Sequence, residues 1–479
     1  MVIHDHSMRY CSSLIPLFII AALLCKKSNA QSLQDVINES LSNNFSIKAN
    51  AYDLEISKLN FRSFRLGYRP GLLLNAVLPY YEKDNFQVIQ PDGSVKFVRR
   101  RQNTSNIGLS FSQPVSITGG SVSVNTELFM VDDLEARNKQ FNGTPVFIRY
   151  QQPVFGYNKL KWDRVIEPLR LKEANLIYSV EMRSLVYETC RLYFDVINAR
   201  TSEQLAITNL EHISTNLAIE KRRVELGLST EDKLFALQMQ ELRTKQQLQE
   251  ARVLTEQAAT ILRNSMNDKD TGRLELVLPE NFPVVTWDIA RLVAEAKQNL
   301  PQYVTFERAS MENESALAQA KAQGREINLT ASYGLNKAAN KIKQIYNDPN
   351  DQQRFRVGVS VPISDWGKRK NKIAIAELEQ QKYQTEKKDI EATLLTEVVN
   401  LYNQLPMLRQ NIETARALDT LSQKRFAIAN RLFQSGKATI LELQAAQTEK
   451  DNARMGYVVA IRRFWESWYL LQMKTNTSI

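Results

Sequence analysis

Arg222-Arg223-Val224-Glu225-Leu226-Gly227-Leu228-Ser229-Thr230 and Arg431-Leu432-Phe433-Gln434-Ser435-Gly436-Lys437-Ala438-Thr439 share one plan and lie 209 residues apart. In each, a helix-forming run with basic residues meets a single glycine, and a threonine follows. Glycine adopts the left-handed backbone that ends a helix, and Ser229, Thr230 or Thr439 can cap the helix that returns. Both stretches read as tips of helical hairpins. Working outward, Pro153 and Pro362, Leu192-Tyr193 and Leu401-Tyr402, and Leu234 and Leu443 repeat at the same offset. So many matches at one spacing indicate an internal duplication.

The helices that feed the tips carry Leu185, Leu192, Ala199, Ala206 and Ile213 every seven residues, and Leu394, Leu401, Leu408 and Ala415 hold the duplicate register. A seven-residue apolar repeat belongs to helices supercoiled on neighbours. The run from Lys161 to Leu226 would extend about 100 Å at a rise of about 1.5 Å per residue. Pro406 lies inside such a helix and is expected to bend it.

Upstream of each hairpin the period changes to two. Ile107, Leu109 and Phe111 alternate with Gly108, Ser110 and Ser112, and Val122, Val124, Thr126 and Leu128 with Ser121, Ser123, Asn125 and Glu127. Ile327, Leu329, Ala331 and Tyr333, then Phe355, Val357, Val359 and Val361, do the same. These are strands with one apolar and one polar face. The expected first repeat spans 31–263, with a helix over 33–66, a strand region over 72–154 and a long helix pair over 157–263. A polar linker with Pro279 and Pro283 covers 264–284. The second repeat spans 285–472, with a helix over 287–321, strands over 327–361 and a helix pair over 368–472, before a short disordered tail at 473–479.

Residues 1–30 read as a signal peptide. Arg9 precedes an apolar run from Leu14 to Leu24, and Ser28-Asn29-Ala30 places small residues at −3 and −1 before Gln31. Cys25 raises a lipoprotein reading, against which stands the bulky Leu24 before it. Cleavage removes Cys11 and Cys25, leaving Cys190 as a packed residue with no intramolecular disulfide partner. Lys and Arg number 62 against 52 Asp and Glu, and the signal segment accounts for two of the ten net positive charges. Basic and acidic residues alternate along the helices, and the tight basic cluster is Arg99-Arg100-Arg101, so nucleic-acid binding is not expected. No later run of 18 apolar residues follows, so a chain that spans a membrane must do so with strands.

Strands with Ser, Gly, Asn and Thr on one face fit a barrel with a wet lumen, and on their own fit a soluble sandwich equally well. The export signal and the duplication favour the membrane. Too few strands exist to close a wide barrel, and strand edges are not tolerated in lipid, so several chains must pool them.

Gln152-Pro153-Val154-Phe155-Gly156 and Val361-Pro362-Ile363 after the strands, both glycine tips, Arg425-Phe426, and Leu441-Glu442-Leu443-Gln444-Ala445-Ala446-Gln447 together resemble the outer-membrane efflux protein family, the TolC-like channels. The likeness runs from about Leu33 to Leu471. It implies an α+β membrane protein of two internal repeats: a homotrimeric outer-membrane β-barrel, four strands from each subunit in a shared twelve, continued by a long periplasmic α-helical barrel closed at its far end. It implies a periplasmic adaptor (a membrane fusion protein), an inner-membrane pump of RND, ABC or MFS type, and outer-membrane lipid as partners, in a Gram-negative cell. Carried onto this sequence, it makes Arg222, Arg223, Gly227, Thr230, Asp232, Arg431, Gly436, Lys437 and Thr439 candidates for the tip, gate or adaptor contact. Pro153, Gly156, Pro362 and Gly367 become barrel–helix junctions. One departure stands: the family has two strands in the first half, whereas alternating runs fall near 72–81, 107–115, 121–130 and 146–154. Either the Gly119-Gly120 hairpin is an extracellular or barrel-adjacent elaboration, or one of these runs is not a strand.

No phosphate loop, zinc pattern or cysteine cluster is present, and the mature chain has one histidine, His212. Neither an enzyme nor a cofactor is expected. Three readings remain: an export duct for small molecules such as drugs, detergents or metal ions; a type I secretion duct for polypeptides; and a non-conducting coiled-coil scaffold of the envelope.

Overall fold

The computed structural model describes residues 30–269, 274–284, 288–323 and 326–477. Apart from Ala30, the expected signal peptide lies outside these residues. Helices α1 (Leu33–Asn43) and α2 (Phe45–Leu66) precede strands β1 (Gly71–Ile89), β2 (Val95–Val115), β3 (Gly120–Asp133) and β4 (Asn138–Val154). Then come α3 (Lys159–Glu225), α4 (Glu231–Met266), α5 (Ile289–Asn299) and α6 (Pro301–Ala322). Strand β5 (Glu326–Ala339), the short α7 (Ile342–Ile345), β6 (Asn350–Ser360), α8 (Lys368–Gln434) and α9 (Ile440–Thr475) complete the chain.

The repeats match helix for helix. α1 and α5 have 11 residues each, α2 and α6 22, α3 and α8 67, and α4 and α9 36. The helices expected to be continuous over 33–66 and 287–321 are each broken once. Asn44 takes an extended ψ of 133°, its amide donating to the Ser265 carbonyl at 2.7 Å and its side-chain oxygen accepting from the Ser46 N–H. Leu300 precedes Pro301, whose ring disfavours helical backbone in the residue before it and suits the first turn of α6. α8 runs unbroken through Pro406, and α3 through Pro168.

The chain divides into two compact units, one built from the described residues up to 48, 181–292 and from 398 onward, the other from 49–180 and 293–397. The second unit holds one antiparallel sheet in the order β1-β2-β3-β4-β5-β6. Four strands therefore occupy 71–154. Their extents exceed the alternating runs: residues 83–89 and 95–101 continue the β1–β2 ladder and pair only with each other. The Gly119-Gly120 turn lies beside the start of α3: the Asn158 amide donates to the Ser116 carbonyl at 2.9 Å, and the Gln152 amide donates to Thr118 O at 2.8 Å. Gly119 has φ +76° and lies close to Asn158, so a side chain there would be strained by the backbone and crowded by Asn158. The turn thus stands at the end of the sheet from which α3 leaves.

One face of the sheet carries Leu72, Leu74, Ile107, Leu109, Phe111, Val124, Ile148, Tyr333, Phe355 and Val357, all exposed. The other carries Asn106, Ser110, Ser123 and Asn125, with the Ser110 hydroxyl donating to Asn125 Oδ1 at 2.6 Å. Beside the sheet, α3 and α6 are joined by charge. Arg308 donates to Glu173 at 2.5 and 3.1 Å and to Glu312 at 2.6 Å, Arg170 reaches Glu312 at 2.6 Å, and the Thr305 hydroxyl donates to Glu173 at 2.6 Å. Burial raises the Glu173 carboxyl, but Arg308 and Thr305 outweigh it and hold the group below its usual value.

In the first unit, the stretch expected as a linker is fastened down. Gln31 N–H donates to Glu275 O at 2.7 Å, the buried Tyr193 hydroxyl donates to Val277 O, and Phe282 packs edge-on to Phe464. The expected tail is also corrected: α9 continues to Thr475, and Asn476, left-handed at φ 50°, accepts from Arg183 Nε at 3.0 Å. Buried Cys190 has its thiol pushed well up by desolvation, consistent with a packed and unreactive residue.

Replacing Arg308 with Ala strands Glu173, only 13 % exposed, beside a broken network. A loss on the order of 2–4 kcal/mol is expected in denaturant unfolding. Because the Glu173 pKa is depressed on folding, its contribution is present above the unfolded carboxylate value and lost as pH falls through the folded one. Glu173→Gln should therefore flatten the acid limb of the stability curve.

Candidate functional site

Both tips close by one backbone scheme. In the first, Gly227 has φ +69°, Leu228 N–H donates to Arg223 O at 2.8 Å and Gly227 N–H to Val224 O at 2.9 Å. In the second, Gly436 has φ +75°, Lys437 N–H donates to Leu432 O at 2.8 Å and Gly436 N–H to Phe433 O at 2.9 Å. These are left-handed glycine stops that satisfy helix-end carbonyls. The returning helices start differently. The Thr439 hydroxyl accepts from Glu442 N–H at 3.3 Å, and the Glu442 carboxylate accepts Thr439 N–H at 2.7 Å, which holds that carboxyl below its usual range. Thr230 occupies the same place with no side-chain capping bond. The neighbouring Ser229 hydroxyl donates instead to Glu220.

Arg223 ties the two tips together. Its guanidinium donates to Gln434 O at 2.5 Å and Phe433 O at 3.3 Å, two carbonyls at the C-terminus of α8, and pairs with Glu220 at 3.2 Å. A cation there also meets the negative end of the helix dipole. Glu220 is nearly sealed, at 3 % side-chain exposure. Beneath the clasp lies a core of Leu237, Phe426, Phe433, Leu443 and Ala446.

The other candidates sit apart from this cluster. Arg222 pairs with Glu225 at 3.0 Å on the open surface, and Arg431 Nε donates to Ala427 O within its own helix. Asp232 and Lys437 are exposed. At the junctions, Pro153 is still in β4, opposite Asn328. The left-handed residue after β4 is the exposed Phe155 at φ 60° rather than Gly156, whereas after β6 Trp366 and Gly367 both take positive φ. Pro362 lies just past β6, and Asp365 starts α8 by accepting from Arg369 N–H at 3.1 Å.

Sequence patterning missed the polar members of the helix seams. The most buried line on α8 is Val398, Leu405, Ile412, Asp419, Phe426 and Phe433, each seven apart. This line is offset from the Leu394–Ala415 register, and its fourth layer is a carboxylate. Asp419 meets Arg454 at 3.1 Å. Lys450 lies 4.5 Å from the Phe426 ring centre, donates to Asn209 at 2.9 Å and pairs with Asp451 at 3.2 Å. Asn216 donates to Asn430 at 3.0 Å and accepts from Gln434 at 3.2 Å. Polar layers of this kind set register and partner in coiled coils. Their spacing is visible in the sequence once Asp, Asn and Lys are allowed at seam positions.

His212 stands edge-on to Phe426 at 5.3 Å, and burial first, then Lys450, hold its imidazole below the ordinary value of 6.5, with Glu211 opposing. Among the described residues no group of three His, Cys, Asp or Glu could hold a metal ion, and no helix is long and apolar enough to cross a membrane.

Arg223→Ala should cost on the order of 3 kcal/mol in unfolding, because Glu220 stays buried without its partner. Arg222→Ala should cost less than about 0.5 kcal/mol. Equal effects of the two would refute the clasp. The unfolded chain protonates His212 at a higher pH than the folded one, so stability should fall as pH drops below neutral, and His212→Gln should remove that part of the slope.

The sequence model of the family described as "Outer membrane efflux protein" matches residues 295–464. No curated protein matches the chain. Among solved structures, a membrane protein from Pseudomonas aeruginosa is similar at TM-score 0.67 and 16% identity, over 92% of this chain and 90% of its own. The CmeC outer membrane channel of Campylobacter jejuni is similar at TM-score 0.67 and 14% identity, over 93% and 85%. The outer membrane protein VceC of Vibrio cholerae is similar at TM-score 0.66 and 12% identity, over 93% and 96%.

Proposed function

We propose that the chain, whose residues 295–464 match the outer membrane efflux protein family, is a homotrimeric outer-membrane export duct for small molecules, driven by an inner-membrane pump through a periplasmic adaptor. The observation that carries this reading is the open sheet. It is apolar on one face and polar on the other, and its end strands β1 and β6 have no partner on their outer sides among the described residues. Such a sheet is stable in lipid only when copies join it edge to edge into a closed wall. The polar face then lines a wet passage.

The helices support the same assembly. On α4, Phe235, Met239 and Leu242 form an exposed stripe, and on α8 Leu418, Leu421, Ile428 and Leu432 form another, each at coiled-coil spacing. Stripes of this kind suit packing against neighbouring subunits. In this reading the helices lie in the periplasm and the tips are the gate. Arg223 and Glu220 hold the two hairpins of one subunit together, and exposed Arg222, Asp232, Arg431 and Lys437 are free to meet an adaptor. The duct does no chemistry of its own.

Deleting the gene should raise sensitivity to a panel of dyes, detergents and metal salts, and a plasmid copy should restore it. Purified protein carrying Arg223→Ala should conduct in planar bilayers more often than the parent. Unchanged sensitivity together with loss of a secreted protein would move the assignment to polypeptide export. Absence of conductance in every tip variant would return weight to a scaffold.

A further inference from the structure

The long helices of the two repeats keep a constant offset except across one region. α5 begins 256 residues after α1 (Ile289 against Leu33), and α8 begins 209 residues after α3 (Lys368 against Lys159). With every helix equal in length, the difference of 47 residues falls wholly between α2 and α3, where four strands stand in place of two. Strands β3 and β4 correspond to β5 and β6, since Gly120 and Glu326 open them, and Val154 and Ser360 close them, at a common offset of 206. The addition is the β1–β2 hairpin.

That hairpin is part of the wall. β2 pairs with β3 residue for residue from Gln102↔Asp133 to Val115↔Gly120, with no register break. Leu72 and Leu74 of β1 stand opposite Phe111 and Leu109 of β2, which stand opposite Val124 and Thr126 of β3. The apolar face of the sheet thus continues across the hairpin, and the polar face continues behind it through Asn106 and Ser110. Its base is tied on both sides: Gln113 donates to Tyr68 O at 2.8 Å, and Asn158 donates to Ser116 O at 2.9 Å. Folding the hairpin into a lumen would break the whole β2–β3 ladder and put Leu72, Leu74 and Leu109 into water.

Resting on the trimeric duct proposed above, we infer that each subunit supplies six strands, so that the shared barrel has eighteen rather than twelve, and that β1 is the edge that pairs with β6 of the neighbouring copy. Barrel diameter grows roughly linearly with strand number, so the outer-membrane section is about 1.5-fold wider than a twelve-stranded one. Between α2 and α3, whose sheet ends are separated by the two extra strands, lies a cleft of about 520 Å³ lined by Phe61, Phe64, Tyr68, Asp163 and Arg170. No helix continues β2 or β3 at this point, and across the cleft the Tyr68 hydroxyl donates to Leu160 O at 2.7 Å, tying the start of β1 to the start of α3.

The test is an electron cryo-microscopy map of the mature full-length protein in lipid nanodiscs, resolved well enough to count strands. Eighteen strands with Leu72 and Leu109 facing the lipid belt are expected. In a variant lacking residues 71–117, which equalises the repeats, twelve strands and a barrel about 1.5-fold narrower are expected. A twelve-stranded wall in the full-length protein, with β1–β2 in the lumen or outside, overturns this inference while leaving the duct intact. A particle without three-fold symmetry overturns both. The full-length map decides the matter even where the shortened variant does not fold.

Discussion

Strands β1 and β6 end the sheet with a row of backbone N–H and C=O groups that no other described strand satisfies, beside a face rich in Leu, Ile, Val and Phe. Each buried peptide group left without a partner in lipid costs several kcal/mol, so one chain cannot hold this sheet in a membrane alone. The remainder of the architecture follows from that constraint. In the proposed duct, copies join at the edges, the helices that flank each strand pair form a ring, and their exposed apolar stripes find neighbours.

The duplication explains why one scheme serves at two places and also where the halves part. Both tips stop at a left-handed glycine, yet one helix restarts with a full Thr439–Glu442 capping box and the other with Ser229 turned toward Glu220. The asymmetry has a use. Arg223 crosses to the carbonyls that end α8, so the first tip completes the second, and a charge pair that is nearly shut off from water makes the joint strong only while both partners remain. In the proposed duct such a joint would hold the two hairpins of one subunit together until a competing contact released it.

Much of this was legible in residue order. Gly227 and Gly436 marked the tips because φ values of +69° and +75° favour glycine, and the offset of 209 carried over to the ends of the long helices α3, α4, α8 and α9. The breaks at Asn44 and Leu300 were not read, since one depends on a bond to Ser265 from far along the chain and the other on Pro301 opening a helix. The seam residues Asn209, Asp419 and Lys450 escaped because apolar periodicity skips polar layers. The upper parts of β1 and β2 escaped for a different reason: their alternation, as in Phe86 and Val88, is short and set among the charged residues Lys83, Asp84 and Arg99-Arg100-Arg101. The strands over 107–115 and 121–130 were visible because apolar residues alternate there with small and polar ones.

The central claim is that the open sheet is completed by identical copies. Native mass spectrometry of the protein extracted from outer membranes in mild detergent tests it most directly. The account predicts a species of three times the mature chain mass that persists until the detergent is made denaturing. A folded monomer as the sole species, or an assembly of any other copy number, would contradict it.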